Sequence, residues 1–274
     1  MMQQSQENQY PEEFTVSSTT STLWRVLAAA AQTLSEDVTF DTDGEGLRTR
    51  VMDPSHVALL DVNLTTNYFN GFRCPKPARC RLHLEDFSKI IKRADNREMI
   101  EICKMSSTML EIRIGSGHYR KEFELQLSDS GETKPTPLPR LTFTTRFSMG
   151  FQSFQQILAD ISVLSTHLAV SVSNGFVALS GKGDSGKVEI SFGEQDGAFL
   201  QEAVVEGGSQ QQSKAVYNLE YLLKITRALS PFADNVKFEY SSKMPLRLEF
   251  KSSETSTSTV GSGIRFYLAP KMME

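Results

Sequence analysis

The stretch GKGDSGKVEISF, at residues 181–192, contains the residue types of two kinds of catalytic site. Gly181 to Lys187 matches the pattern G-x-x-x-x-G-K, in which the backbone amides of a glycine-rich loop hold nucleotide phosphates. Ser185, set between small and acidic residues, has the composition that often surrounds a nucleophilic serine. The first possibility would make the protein an ATPase, and the second would make it a hydrolase.

The residues around this stretch argue against both activities. A phosphate loop leads from a strand into a helix, and its lysine is followed by Ser or Thr, whereas here Val188 follows and a strand pattern continues. A nucleophilic serine needs a base and an oxyanion hole, and none of the four histidines comes with a recognisable partner motif. We therefore expect a glycine-rich turn between two strands and no catalytic residue. A hydrolase that uses residues 181–187 is the remote alternative.

The composition of the 274 residues is that of a globular intracellular protein, with 39% hydrophobic residues and a net charge of −4. The sequence has no signal-peptide pattern and no apolar run that would span a membrane. Cys74, Cys80 and Cys103 do not have the spacing of zinc ligands. We expect core cysteines in a reducing compartment, no metal, no cofactor and no membrane contact. The net negative charge argues against a protein whose whole surface binds nucleic acid. A protein with this net charge can still carry a local basic stripe that contacts nucleic acid.

The chain divides near its middle. Residues 1–12 are polar and without periodicity, which predicts a disordered tail. Residues 131–142 contain three prolines at alternate positions, which favour an extended strap over a helix. The strap separates a first domain at 13–130 from a second domain at 143–274.

The two domains repeat the same order of elements. Helical patterns at 22–34 and 151–161 are each followed by alternating strands joined by a turn. The segments 85–114 and 218–250 each contain a helix, a strand, a Ser-Ser turn and a second strand. An offset of about 130 residues between the copies indicates an internal duplication. The fold class is therefore α+β, with two tandem copies of a helix and hairpin unit.

Cations lie on the polar faces of the helical patterns. Lys89, Lys92 and Arg93, at spacing i, i+3, i+4, lie opposite an apolar stripe. In the second copy we place Lys224 at the position of Lys92, with Arg227 near the edge of that face. A solvated helix surface is the alternative interpretation. The candidate DNA-facing residues are Arg25, Lys89, Lys92, Arg93, Lys224 and Arg227. Such sparse charge suits a protein that slides along DNA, because each neutralised phosphate adds affinity.

Several motifs are similar to those of one family. MDPSHVALLDVNL (52–64), EDFSKIIKRADNREMIEI (85–102), YNLEYLLKITRAL (217–229), KMPLRLEF (243–250) and RFYLAPKM (265–272) resemble the proliferating cell nuclear antigen, the sliding clamp of archaeal and eukaryotic replication. The resemblance extends from about Phe14 to Met272. It implies rings of three chains, with helices on the inner face and antiparallel sheets outside.

The resemblance also implies a function. A clamp of this family encircles double-stranded DNA without sequence preference and acts as a polymerase processivity factor with no chemistry of its own. The implied partners are a DNA polymerase, a clamp loader, a nuclease and a ligase, which dock through short peptide motifs. The implied location is nuclear in a eukaryote and cytoplasmic, at the nucleoid, in an archaeon. A checkpoint-type clamp subunit of a heterotrimer is the close alternative.

Two further sites follow from the resemblance. Strand 119–127 is expected to pair with strand 187–192 of the next chain, through Tyr119, Phe123, Leu125, Lys187, Val188 and Ile190. The partner-peptide pocket is expected at Met52, His56, Val57, Leu59, Leu138, Pro139, Phe143, Met244, Pro245, Tyr267, Leu268, Ala269 and Pro270. His56 has an alternative role as a turn histidine.

Two features depart from the family pattern, the long Gln-rich N-terminal tail and the charge of one helix. Family members usually carry basic residues on every helix that lines the hole, and the helix at 151–161 has none. This absence favours a ring in which non-identical neighbours supply the cations, so both a homotrimer and a heterotrimer stay open.

Overall fold

A computed structural model of the protein describes residues 13–116, 119–128, 138, 141–173, 176–193, 202–205, 213–252 and 262–271. The expected tail and most of the expected strap lie outside these residues. The helices in the described part are α1 (Thr22–Gln32), α2 (Leu84–Ile91), α3 (Phe151–Ser162) and α4 (Leu219–Leu229), with a short 3-10 helix at Thr66–Tyr68. The strands of the first half are β1 (Phe14–Ser18), β2 (Asp37–Asp43), β3 (Gly46–Met52), β4 (Ala58–Thr65), β5 (Gly71–Arg73), β6 (Ala78–His83), β7 (Met99–Ser106), β8 (Met109–Ser116) and β9 (Tyr119–Gln126). Those of the second half are β10 (Thr145–Gly150), β11 (His167–Ser173), β12 (Phe176–Lys182), β13 (Lys187–Gly193), β14 (Glu202–Val205), β15 (Ser213–Asn218), β16 (Asn235–Tyr240), β17 (Leu246–Lys251) and β18 (Gly263–Leu268).

The helices form because apolar residues recur at helical spacing and bury one face. In α3 the buried residues are Phe151, Phe154, Ile157, Leu158 and Ile161, which form the stripe expected from the sequence. Helix α4 is capped at its N-terminus by Asn218, whose side-chain oxygen accepts a 2.8 Å hydrogen bond from the amide of Glu220. Helix α1 ends at Gln32, earlier than expected, and it also buries Trp24, which is only 1% exposed.

The described strands form three antiparallel sheets. Their orders are β5-β1-β7-β8-β9, then β14-β10-β16-β17-β18-β4-β3-β2-β6, and finally β13-β12-β11-β15. The first five strands of the central sheet repeat the order of the first sheet, and its last four repeat the order of the third sheet. This correspondence confirms the α+β duplication predicted from the sequence.

The two copies are joined in the middle of the central sheet. Strand β18 of the second copy pairs antiparallel with β4 of the first, from Gly263 opposite Asn63 to Leu268 opposite Ala58. In the middle of this junction Arg265 lies opposite Asp61, and Nη1 is 3.5 Å from Oδ2. A single hydrophobic cluster runs through both copies, so they share one core.

The helices lie in a row that crosses the junction. Helix α1 contacts α2 of its own copy and α4 of the second copy, and α4 contacts α3. The order of the row is therefore α2-α1-α4-α3. The helices pack on the sheets through their buried faces, which leaves their polar faces exposed along one side of the molecule.

Candidate functional site

The glycine-rich stretch at 181–187 is a hairpin turn. Strand β12 leads through it into β13, and the amide of Gly183 donates a 2.9 Å hydrogen bond to the carbonyl of Gly186. No helix follows, so this geometry lacks the helix N-terminus that a phosphate loop needs. A Cβ at Gly183 would lie 1.8 Å from the carbonyl oxygen of Leu164. The backbone therefore approaches so closely here that only glycine fits. Ser185 is exposed in the turn.

Three of the candidate DNA-facing cations are exposed without an ion pair. Lys92 and Arg93 lie just beyond the end of α2, and Arg227 lies in the last turn of α4. None of the described residues forms an ion pair with these three side chains. They are therefore free to meet an external anion.

The other two exposed cations are paired within their helices. Lys89 Nζ is 2.7 Å from Oε1 of Glu85, and Lys224 Nζ is 2.6 Å from Oε1 of Glu220. The carboxylates raise the pKa of Lys89, although burial alone would lower it slightly. Each pair offsets part of the positive charge of the helix row.

The alignment of the two cationic helices differs from the one we expected. Helices α2 and α4 begin at Leu84 and Leu219, each directly after a strand, so Lys224 corresponds to Lys89 rather than to Lys92. Arg227 then corresponds to Lys92. The expectation was wrong by three residues, because the Glu-to-Lys pairs of the two helices occupy equivalent positions and the free cations Lys92 and Arg227 are equivalent to each other.

Arg25 has a structural contact that the sequence did not indicate. Its side chain is half-buried, Nη1 donates a 3.1 Å hydrogen bond to Asn96, and Nη2 donates to the carbonyl of Ala94. These bonds tie α1 to the loop after α2, so Arg25 is less available to DNA than we expected. Helix α3, the counterpart of α1 in the second copy, exposes Gln152, Gln156 and the acidic Asp160 and contains no cation, so this end of the row carries no positive charge.

Residues of the expected peptide pocket lie side by side on the central sheet. Met52, Leu59, Tyr267 and Arg247 occupy directly opposed positions on β3, β4, β18 and β17, so their side chains share one face. The Phe143 ring lies over the Arg247 guanidinium, 4.7 Å from its centre. Leu138 is half-buried, whereas Pro139 lies outside the described residues. Leu268 points the other way and is completely buried, so it supports the pocket from the core.

The rest of the pocket is held by contacts between its segments. The amide of Ala269 donates a 2.8 Å hydrogen bond to the carbonyl of Val57, and Pro270 bridges to Tyr217. The hydroxyl of Tyr217 donates a 3.0 Å bond to the carbonyl of Met244. Pro245, next to it, is half-buried. The end of β18, the turn after β3 and the turn before β17 therefore form one connected surface.

The turn after β3 is organised by Asp53. Its carboxylate accepts hydrogen bonds from the amides of Ser55, Val57 and Ala58, and from the hydroxyl of Tyr221 in α4. Burial would raise the pKa of Asp53, but these donors outweigh it and hold the pKa below the ordinary value of 3.8. His56 adopts a left-handed conformation in this turn, with φ of 58°, and its side chain is exposed.

The sequence did not single out Arg247, Glu239 or the bond between Asp53 and Tyr221. Arg247 donates through Nε to Glu239, which is only 3% exposed. Burial opposes the charge of Arg247, but the bond to Glu239 raises its pKa above the ordinary value. Spacing along the chain gives no signal for these contacts, since the sheet register creates them.

The two expected subunit strands are both sheet edges. Strand β9 pairs only with β8, and β13 pairs only with β12, among the described strands. On β9, Tyr119 is 49% exposed and its hydroxyl donates to Glu98, while Phe123 and Leu125 pack toward the core. On β13, Val188 and Ile190 pack toward the core, and Lys187 pairs with Glu189. Within the described part of the chain, each of these strands has one side to which no strand is paired, and another strand can be added there.

The cysteines and acidic residues do not form a metal site in the described part of the chain. Cys80 and Cys103 are buried and Cys74 is half-buried, all as free thiols. Burial raises the pKa of Cys80 to about 12, which makes its thiol unreactive. Over the same residues, no helix has the length and hydropathy that a membrane span requires.

Comparison with known proteins agrees with this architecture. The family model for the proliferating cell nuclear antigen N-terminal domain matches residues 14–127, and the model for the C-terminal domain matches residues 138–271. Proteins named DNA polymerase sliding clamp from Nitrosopumilus maritimus and Cenarchaeum symbiosum are each 35% identical over 248 residues, which is 90% of this chain and 94% of the relative.

Solved structures share the fold. A PCNA from Thermococcus kodakaraensis superposes with a TM-score of 0.83 at 20% identity, covering 94% of this chain and 100% of that one. A proliferating cellular nuclear antigen from Entamoeba histolytica gives 0.81 at 23% identity, covering 96% and 100%. With both domain models and the archaeal relatives matched, the chain belongs to the proliferating cell nuclear antigen family.

Proposed function

We propose that this chain is a DNA sliding clamp that serves as a processivity factor for a DNA polymerase. The observation that carries the proposal is the repeated junction: β18 pairs with β4 inside the chain, while their counterparts β9 and β13 are sheet edges. The same contact between chains propagates head to tail, and such a contact closes into a ring when the rotation allows it. The names of the archaeal relatives support the same function.

The ring would consist of three chains, each contributing two copies of the unit. Pairing of β9 with β13 of the next chain would remove two open sheet edges from every subunit. The helix row, which crosses the internal junction without a break, would then continue from chain to chain around a central hole. Double-stranded DNA is the occupant that we propose for this hole.

The contact with DNA would be sparse and independent of sequence. Lys92, Arg93 and Arg227 are the free cations of the row, and they would meet phosphates rather than base edges. A small number of phosphate contacts gives weak, salt-dependent affinity, which allows movement along the duplex. Retention on DNA would then come from encirclement.

Partner enzymes would dock on the opposite, sheet side. The surface formed by Met52, Tyr267, Phe143 and Met244 combines apolar side chains with the exposed His56 turn. A short peptide with a hydrophobic plug is the occupant that we propose, carried by a polymerase, clamp loader, nuclease or ligase. Tethering the polymerase raises its effective concentration at the template.

Primer extension on a closed circular template tests the function. With a family polymerase, a clamp loader and ATP, the protein should lengthen the products made in one binding event. A variant with Met244→Ala and His56→Ala, which changes two exposed pocket residues, should lengthen them less. Unchanged product length on adding the wild-type protein and an active loader would contradict the proposal.

A checkpoint-type or other heterotrimeric ring is favoured by one observation, the absence of any cation on α3. In such a ring, neighbours of different sequence would supply the missing charge. The mass in solution separates the two assemblies. A homotrimer sediments at three times the chain mass of 30.6 kDa, whereas a subunit of a mixed ring sediments alone until its partners are added.

A further inference from the structure

We propose that the junction between two copies of this chain places Glu122 of β9 directly opposite Glu189 of β13 in the neighbouring chain, so that identical chains meet at a like-charge pair. The proposal rests on the ring described above and adds its strand register. The register comes from the internal junction, which is the same contact made between the two copies within one chain.

Strand β9 can be aligned with β18 residue by residue. Both contain phenylalanine, one intervening residue and leucine, at 123–125 and 266–268. In both, the leucine lies opposite a leucine of the preceding strand, since Leu125 pairs with Leu110 and Leu268 pairs with Leu246. The residue before the phenylalanine is Glu122 in β9 and Arg265 in β18.

Strand β13 can be aligned with β4 in the same way. The β3-β4 hairpin ends with Gly46 opposite Thr65, and the β12-β13 hairpin ends with Phe176 opposite Gly193. Counting back from these ends aligns Phe192 with Leu64, and both of these residues are buried. The same alignment places Glu189 at the position of Asp61.

The internal junction shows what this position requires. Asp61 lies opposite Arg265, Nη1 of which is 3.5 Å from its carboxylate, and it also accepts a 2.8 Å hydrogen bond from Nε of Arg50. Asp61 is only 4% exposed and is neutralised by two guanidinium groups. Inside the chain, opposite charges therefore meet at the centre of the junction.

Between chains, the same register brings two carboxylates together. Glu122 would face Glu189, Glu124 would face Lys187, and like charges directly opposite each other on antiparallel strands destabilise the pair. The cations Arg120 and Lys187 already pair within their own strands, with Glu122 at 2.8 Å and with Glu189. Because they lie diagonally across the junction, they reduce the repulsion without removing it. The junction between identical chains is thus weaker at this position than the junction within the chain.

Charge reversal tests the register. Glu122→Arg recreates the arginine found in β18, and Glu189→Arg reverses the other partner. Each single variant should strengthen the contact between chains, so that the dissociation constant of each junction falls about tenfold. The assembly should then persist at a lower protein concentration than the wild-type assembly does. The double variant should lose this gain, because two arginines would face each other. Sedimentation over a dilution series measures all four proteins.

The matched control lies on the same strand. Glu124→Arg makes the same charge change two residues along, but it places an arginine opposite Lys187, so the assembly should dissociate at a higher concentration. Glu122, Glu124 and Glu189 are all exposed, and thermal unfolding should show that every variant keeps the fold.

The outcomes separate the register from the ring. If the proteins assemble but Glu122→Arg and Glu124→Arg act alike, or the double variant combines both gains, the register is wrong and the ring stands. If neither the wild-type chain nor Glu122→Arg assembles at any concentration, both the register between identical chains and the proposed homomeric ring are contradicted.

Discussion

The hydroxyl of Tyr221 donates a 2.9 Å hydrogen bond to Oδ2 of Asp53, and this bond connects the two copies of the duplicated unit. Tyr221 lies on α4, in the helix row, whereas Asp53 organises the turn that carries His56 at the proposed peptide surface. One side-chain contact therefore links the helix side of the molecule to the sheet side.

Replacement of Tyr221 by phenylalanine should lower the free energy of unfolding by about 1 to 2 kcal/mol, since the bond is made to a charged and buried acceptor. Urea denaturation of the wild-type and Tyr221→Phe proteins measures the difference. Tyr68→Phe is a matched control, because that hydroxyl makes no such bond to a carboxylate in the described part of the chain. Equal losses in the two variants would show that the Asp53 bond has no special weight.

The hydrogen bonds that Asp53 accepts from the Ala58 amide, from Tyr221 and from the other turn amides also have a pH signature. The pKa of Asp53 is lower in the folded protein than its ordinary value, so its ionised form stabilises the fold above about pH 4. This stabilisation is lost as the pH falls through the folded pKa. Asp53→Asn should therefore show a smaller decrease of stability in acid than the wild-type protein. Parallel acid profiles for the two proteins would contradict the assignment.

The turn at 181–187 should tolerate changes to its apparent catalytic residues but not to its packing glycine. Gly183→Ala should destabilise the protein by about 2 kcal/mol or more, because the added Cβ collides with the Leu164 carbonyl. Ser185→Ala, in the same turn, should change stability by less than about 0.5 kcal/mol. Thermal unfolding of the wild-type protein and of both variants measures the difference in stability. An ATPase or esterase activity that Ser185→Ala abolishes would restore the hydrolase alternative.

The free cations of the helix row should set the salt dependence of DNA contact. Lys92→Ala, Arg93→Ala and Arg227→Ala should each reduce the slope of log affinity against log salt by up to about one. Lys76→Ala, which removes an exposed cation from the loop between β5 and β6, should leave it unchanged. Fluorescence anisotropy with duplex DNA over a salt series gives the slopes. A larger effect from Lys76 would place the DNA elsewhere.

The peptide surface should depend on Met244. Met244→Ala should weaken the binding of a peptide with a hydrophobic plug by about 1 kcal/mol, which is a roughly fivefold change. Met99, at the start of β7, is a second exposed methionine and provides the control, because it lies outside the surface. Calorimetry measures both affinities. If Met99→Ala weakens binding as much as Met244→Ala, the peptide binds at another surface.

Much of the fold could be predicted because hydrophobic periodicity and turn residues are local signals. The α3 stripe and the hairpin at 181–192 follow from local patterns and from the internal repeat. Lys92, Arg93 and Arg227 are exposed for the same reason, since they lie off the apolar stripe. The expectation that strands 119–127 and 187–192 are sheet edges came from the family resemblance instead.

The remaining features depend on register and on contacts distant in sequence. Arg25 reaches a carbonyl in the loop after α2, and Arg247 is placed beside Tyr267 by strand pairing. Residue spacing within one helix cannot reveal either contact. The incorrect alignment of Lys224 with Lys92 has a similar cause. The correct alignment depends on where each helix begins, and each helix begins directly after a strand.

The retention of the protein on circular DNA tests encirclement most directly. After loading with a clamp loader and ATP, the protein should stay on a closed plasmid and leave soon after the plasmid is cut once, since a ring slides off a free end. An equal lifetime on the closed and the cut plasmid would contradict the claim that this chain forms a closed ring around DNA.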